Sequence, residues 1–109
     1  MLEGNGPPAP LSGSVVVTTR DGEAVLVLAG AVDLAVVRAF EETGPDLAAV
    51  RSIDAGDVTV LSATAAGLLL RVLRSARGAG RTVVLRRSNA HVDRVLGLLE
   101  LGEVFPRAD

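Results

Sequence analysis

Residues 54–77 read DAGDVTVLSATAAGLLLRVLRSAR, and this stretch decides the fold. Its second part, 64–77, repeats apolar side chains every three or four residues, with arginines on the other side. That spacing predicts an amphipathic helix that Gly78 and Gly80 bring to an end. The apolar face comprises Leu68, Leu69, Val72, Leu73 and Ala76, and the arginines are Arg71, Arg74 and Arg77.

The residues before this stretch predict a hairpin and a first helix. Two apolar or β-branched runs, 14–20 and 24–29, flank Asp21-Gly22, which is a strong signal for a two-residue turn. After Gly30, apolar residues at helical spacing predict a helix with Asp33 as its N-cap. Gly44-Pro45 follows and disturbs the end of that helix.

The remaining segments complete an alternating pattern. Residues 50–54 and 81–85 predict short strands, 89–99 a third helix, and 103–105 a last edge strand. We interpret AGDVTVLS (55–62) as the connection into the long helix. The order β-β-α-β-α-β-α-β predicts an α/β fold with a mixed sheet of four or five strands, about three helices and an N-terminal β-hairpin.

Length and composition indicate one domain. A chain of 109 residues that is 49% hydrophobic can fill a single core, which must be aliphatic because aromatic residues make up only 2%. Residues 1–13 contain several Gly and Pro and little to bury, which predicts a disordered tail. The domain is then expected over 14–109.

Composition also argues against several classes of function. A net charge of −2 provides no basic field for nucleic acid, and the few aromatics offer no platform for stacking bases. The chain has no cysteine and one histidine, so neither disulfides nor a metal site is expected, and no motif suggests a cofactor. The N-terminus lacks a signal-peptide pattern and the apolar runs are too short to insert into a bilayer, so the expected location is the cytoplasm.

Ser62 and Thr64 lie where hydroxyl side chains cap a helix. One alternative is purely structural, because a cap accepts a backbone N–H and contributes about 1 kcal/mol. The other is a phosphoacceptor, since a phosphoryl group there would meet free N–H donors and the positive end of the helix dipole.

Three stretches resemble the STAS domains of anti-sigma factor antagonists. GAVDLAVVRAF (30–40) is similar to a G-x-hydrophobic-D stretch of that family. DAGDVTVLSATAAGLLL (54–70) aligns without gaps to its D-x-x-x-V-x-hydrophobic-hydrophobic-D-S-[ST]-G signature, and HVDRVLGLLELGEVFP (91–106) is similar to its closing segment. The resemblance covers roughly residues 14 to 107 and implies a STAS fold.

In that family the third position of D-S-[ST] is phosphorylated by a kinase that is also an anti-sigma factor, and the unphosphorylated protein binds this kinase and frees the sigma factor. The resemblance therefore implies a kinase-type anti-sigma factor as partner and Thr64 as the acceptor, with Ser62 the second choice. Asp54 also matches a family position, whereas Ser62 replaces the motif's Asp and Ala65 its Gly. The implied partner-binding residues are Asp33, Ser62, Thr64, Ala65 and Gly67.

Other functions are weighed against this one. A STAS subunit that regulates the ATPase of a lipid-transporting ABC system is the main alternative. An enzyme is not expected, because no paired acid and base or activated nucleophile is present. Asp54 imitates the phosphoaspartate of receiver domains, but the acidic pair they need is missing, so a role in turn geometry is predicted for it. For His91 a cap or surface role is predicted, and the arginine side of the long helix is either solvated or a contact for an acidic partner.

Overall fold

Four strands form a single sheet in which the spatial order follows the order along the chain. The computed structural model describes residues 12–108. The strands are β1 (Gly13–Arg20), β2 (Glu23–Val32), β3 (Val50–Leu61) and β4 (Val84–Arg87), and the helices are α1 (Leu34–Glu41), α2 (Ala63–Gly78) and α3 (Ala90–Leu98). A short 3₁₀ turn, Leu47–Ala49, precedes β3. The predicted α/β fold with an N-terminal hairpin, mixed sheet and three helices is confirmed.

The hairpin has the turn that its sequence predicts. β1 pairs antiparallel with β2, and Arg20 stands opposite Glu23 across the two-residue turn. Asp21 and Gly22 have φ values of 53° and 80°, as a type I′ turn requires at both central positions. At the other end of the hairpin Gly30 also has positive φ, and a Cβ there would lie 2.5 Å from the Ser12 carbonyl oxygen. Glycine is therefore required at position 30.

The helices cover one face of the sheet. β2, β3 and β4 are parallel neighbours, so two right-handed crossovers in the same direction put α1 and α2 on the same face. Their apolar residues join those of α3 and alternate strand residues in one continuous core. Among its fully buried members are Leu26, Leu28, Ile53, Leu68, Leu69, Leu73 and Leu96. The other face, called here the second face, carries Val25, Val27, Ser52 and Asp54.

The bounds of two predicted strands and the existence of a third are wrong. The supposed connection 55–62 is strand almost throughout, because β3 continues to Leu61. β4 begins later than predicted because the Arg81 N–H still bonds the Ala76 carbonyl at the end of α2, at 2.8 Å. Residues 103–105 are not a strand; instead Arg107 forms an isolated parallel bridge with Leu85 at the edge of β4.

The predicted tail, 1–13, lies outside the described residues as far as position 11. Of its last two residues, Gly13 opens β1, and Ser12 lies beside the sheet, where its carbonyl accepts a hydrogen bond from the Ala31 N–H at 3.2 Å.

Candidate functional site

All three helices begin at the same edge of the sheet, the carboxyl edge of the parallel strands, and each has a side-chain cap. Asp33 accepts from the Val36 N–H at 3.0 Å, Ser62 from the Ala65 N–H at 3.1 Å, and Asn89 from the Val92 N–H at 2.9 Å. We call the surface around these three caps the helix-start edge. Both sequence-based caps of α1 and α2 are thus present.

Hydrogen bonds between neighbouring elements hold the helix-start edge together. The Ser62 hydroxyl donates to the Val32 carbonyl at 2.8 Å, so it joins the start of α2 to the end of β2. The Asn89 amide donates to the carbonyls of Gly56 and Val58, at 3.1 and 2.9 Å, which joins α3 to β3. Each cap except Asp33 therefore also fixes a strand beside it.

His91 belongs to this edge too. Its Nε2 accepts a hydrogen bond from the Leu61 N–H at 3.0 Å, which assigns the ring proton of the neutral imidazole to Nδ1. The bond satisfies the last backbone donor of β3 before α2. His91 is a structural acceptor, within the cap or surface role predicted for it.

The hydroxyl groups of Thr64 and Ser62 differ in their exposure and in their hydrogen bonds. Thr64 is exposed in the first turn of α2, where the backbone N–H groups of a helix have no partner within the helix. Ser62 is half-buried, and its hydroxyl already accepts one hydrogen bond and donates another. Of the two predicted acceptors, Thr64 is the one a kinase can reach without breaking a cap.

Of the other predicted contact residues, two are exposed and one is buried. Asp33 and Gly67 are exposed, and a Cβ at Gly67 would meet nothing within 4 Å. Ala65 is fully buried in the core, so its side chain is not available to a partner. Ala65 lies in the first turn of α2 on the side that faces the sheet, whereas Thr64 before it is exposed.

The sequence did not predict the exposure of two apolar side chains near the helix-start edge. Leu34 is the first residue of α1 and is 46% exposed, and Val60, two positions before Ser62, is 49% exposed. Both lie in apolar segments that predict burial, and no local pattern distinguishes them from core residues. These two side chains give the helix-start edge an apolar component suited to protein contact.

The arginine side of α2 is partly used within the chain. Arg71 forms an ion pair with Glu41 and so links α2 to α1. Arg74 and Arg77 are exposed and form no ion pair with another described residue. Both are therefore available to solvent or to an acidic partner, whereas Arg71 supports the packing of α2 against α1.

Asp54 has a different role from the one predicted. It lies inside β3 on the second face, only 1% exposed, and binds the Arg20 guanidinium of β1 at 2.8 Å and the Arg87 guanidinium of β4 at 3.4 Å. Its other oxygen accepts from the Gly56 N–H at 3.2 Å. The predicted role of Asp54 in turn geometry is therefore wrong, because its carboxylate connects three strands.

Burial by itself raises the pKa of the Asp54 carboxyl. The hydrogen bonds from Arg20 and Gly56 and the positive charge of Arg87 outweigh burial, so the pKa lies below its ordinary value. The group is therefore ionised in the folded protein at neutral pH, and it stabilises the sheet rather than reacting.

Comparison with known proteins places this geometry in a family. The family model described as "Mlab, STAS domain" matches residues 15–106. The chain belongs to this STAS-domain family. A search of the curated proteins gave no significant match.

Among solved structures, the STAS chain is similar to the anti-sigma factor antagonist SpoIIAA in its unphosphorylated form. The two share 18% sequence identity with a TM-score of 0.68, over 88% of this chain and 89% of the other. At this identity the similarity establishes the fold, which agrees with the resemblance seen in the sequence.

Searches for other kinds of site gave negative results within residues 12–108. No three His, Asp or Glu side chains in this part of the STAS domain are grouped as ligands of a metal ion. None of its helices has the length and apolar character needed to cross a bilayer.

Proposed function

We propose that this STAS domain is an anti-sigma factor antagonist. It binds a kinase-type anti-sigma factor through the helix-start edge and thereby frees a sigma factor. Phosphorylation of Thr64 by that kinase ends the interaction. The domain is then a binding partner and a phosphorylation substrate, not an enzyme, it needs no cofactor or nucleic acid of its own, and its site of action is the cytoplasm.

The observation that carries the proposal is the exposed hydroxyl of Thr64 on the first turn of α2. A phosphoryl group there lies at the positive end of a helix of 16 residues, so the fold tolerates it. The same group adds nearly two negative charges to the edge that also exposes the apolar side chains of Leu34 and Val60. A partner that covers those side chains must desolvate the charge, and its binding is weakened.

The first experiment tests whether Thr64 is the residue that is phosphorylated. The domain is incubated with the purified kinase-type anti-sigma factor and ATP, and intact and peptide masses are measured. One phosphate is expected on the wild type and on Ser62→Ala, and none on Thr64→Val, which keeps the shape of the side chain. Phosphate on Ser62 in the wild type, or on no residue, would contradict the proposed switch.

The second experiment tests whether a negative charge at position 64 weakens binding at the helix-start edge. Thr64→Asp is expected to weaken binding to the unmodified kinase about tenfold or more, because the added charge must be buried in the interface. The variant's stability should be unchanged or slightly higher, since a carboxylate in the first turn of a helix is favourable by about 0.3–1 kcal/mol. Thr82→Asp, at an exposed threonine just before β4 and so at the opposite edge of the sheet, is the matched control and should bind normally.

A second candidate partner is the ATPase of a lipid-transporting ABC system. The family description "Mlab, STAS domain" favours it, as do the departures from the phosphorylated motif at Ser62 and Ala65. Both partners would use the helix-start edge, so binding to each purified candidate is measured side by side. Binding to the ATPase alone, unaffected by kinase and ATP, would replace the anti-sigma proposal.

A further inference from the structure

The outer edge of β1 is free of any strand within the described residues, because β1 is the first strand of the sheet and pairs only with β2. Its hydrogen-bonding pattern follows from the turn. In a two-residue hairpin the flanking residues, Arg20 and Glu23, form a hydrogen-bonded pair, and such pairs recur at every second residue. The hydrogen bond from the Ala31 N–H to the Ser12 carbonyl agrees with this alternation, because Ser12 is an even number of residues from Arg20.

The even-numbered residues of β1 therefore bond β2, and the odd-numbered residues direct their N–H and C=O groups outward. The outward-facing residues are Gly13, Val15, Val17 and Thr19. An unpaired row of this kind is a template for another strand.

The usual protection of an edge strand is missing from β1. Proteins discourage edge pairing with proline, lysine, bulges or inward-pointing charges. β1 reads GSVVVTTR, with no proline, and its one charged residue, Arg20, is at the end. Val16 and Val17 in its centre are 51% and 42% exposed.

An apolar groove runs along the same edge on the helix side of the sheet. Its volume is about 370 Å³, and its walls include Val15 and Val17 of β1 together with Phe40, Pro45 and Ala49. A strand added to β1 would place every second side chain over this groove, because successive side chains of a strand point to opposite faces.

We propose that the strand added to β1 is β1 of a second copy of this chain, in antiparallel orientation. Outward-facing residues must pair with outward-facing residues, so odd positions face odd positions. The register with Val16 opposite its own counterpart is the one that pairs all four outward-facing residues. Val15 then lies opposite Val17 of the second copy, and Gly13 opposite Thr19.

Side-chain chemistry fits this register. Its central pairs are valines, and β-branched pairs stabilise neighbouring strands by about 0.2–1 kcal/mol each. No two charged residues face each other, because Arg20 lies opposite Ser12 of the second copy. The half-exposed Val17 of each copy points toward the groove of the other, so the same patch serves both sides of a two-fold interface. The dimer has one continuous sheet and leaves no free β1 edge.

Sedimentation of the full chain over a wide concentration range tests the proposal. The wild type is expected to change from a mass of 11.2 kDa to about twice that value as the concentration rises. Val17→Pro removes an N–H that points outward and not one that bonds β2, so the monomer should keep its circular dichroism spectrum while the dimer is lost. Val17→Lys should have the same effect, and Leu98→Lys, at an exposed apolar residue at the end of α3, should not.

Amide hydrogen exchange supplies the second measurement. The amides of Val15 and Val17 should exchange fast at concentrations where the chain is a monomer and slowly where it is a dimer. A monomer at every concentration would overturn the proposal, and so would a dimer that survives Val17→Pro. Slow exchange of these amides in the monomer would show that the same chain covers the edge, and would overturn it too.

Discussion

Replacing Asp54 by asparagine removes the charge at the centre of the second face and keeps the shape of the side chain. The carboxylate is 1% exposed and receives hydrogen bonds from Arg20 at 2.8 Å and Arg87 at 3.4 Å. A hydrogen bond to a charged group contributes about 1.5–3 kcal/mol. The asparagine oxygen can still accept a hydrogen bond from the Gly56 N–H, and the guanidinium groups of both half-exposed arginines can be solvated. Part of the lost free energy is therefore recovered. We expect the free energy of unfolding to fall by about 2 kcal/mol, and the midpoint temperature by roughly 10 °C.

The difference between the two proteins should depend on pH in a defined direction. The pKa of Asp54 is lowered in the folded state, so its stabilisation is fully present above the pKa of the unfolded chain, about 3.9. It is lost as the pH falls through the lower, folded value. The difference in unfolding free energy should therefore be constant from about pH 5 upward and shrink below about pH 4.

Urea unfolding followed by circular dichroism measures this difference, since the chain has no Trp or Tyr for fluorescence. Asp57→Asn is the matched control: its side chain is 69% exposed and, within residues 12–108, forms an ion pair with Arg87 alone, so its effect should stay within about 0.5 kcal/mol. Equal stability of Asp54→Asn and the wild type at pH 7, or a difference that persists undiminished at acid pH, would refute the assigned role.

Three further substitutions test other parts of the structure by the same unfolding measurement. Ser62→Ala loses the cap of Ala65 and the bond to Val32 and should destabilise by about 1–2 kcal/mol; no loss would mean that the cap contributes nothing. Ser52→Ala should be neutral or stabilising by about 1 kcal/mol, since the buried Ser52 hydroxyl has no hydrogen-bond partner among the described residues; a clear loss would reveal one. Gly67→Ala, in open space within α2, should stabilise by about 0.5–1 kcal/mol, and a loss would mean that the helix requires glycine there.

The sequence predicts most accurately those elements whose signals are local. The helix predicted over 64–77 is Ala63–Gly78, since its apolar repeat and its terminal glycines lie within one segment. The hairpin follows from Asp21-Gly22 in the same way, and Asp33 is the cap that the spacing indicates. These features depend on residues within a few positions of one another.

Features that depend on distant residues were missed. Gly56 and Asp57 interrupt an apolar pattern and suggest a loop, yet β3 passes through them because β2 pairs with β3 on both sides of this point, with Asp57 itself opposite Ala29. The Asp54 cluster joins residues more than thirty positions apart, and no periodicity records such a contact. The exposure of Leu34 and Val60 likewise depends on where the edge of the sheet lies.

The strand order β1-β2-β3-β4 affects how this domain can assemble during synthesis. Each strand is placed beside the one made immediately before it, so no neighbour in the sheet has to wait for a segment translated much later. Short sequence separations of this kind favour rapid folding. A chain emerging from the ribosome can complete the hairpin first and then add one helix and one strand at a time. Growth always occurs on the side of the newest strand, and the side of β1 is never used by the chain's own later strands.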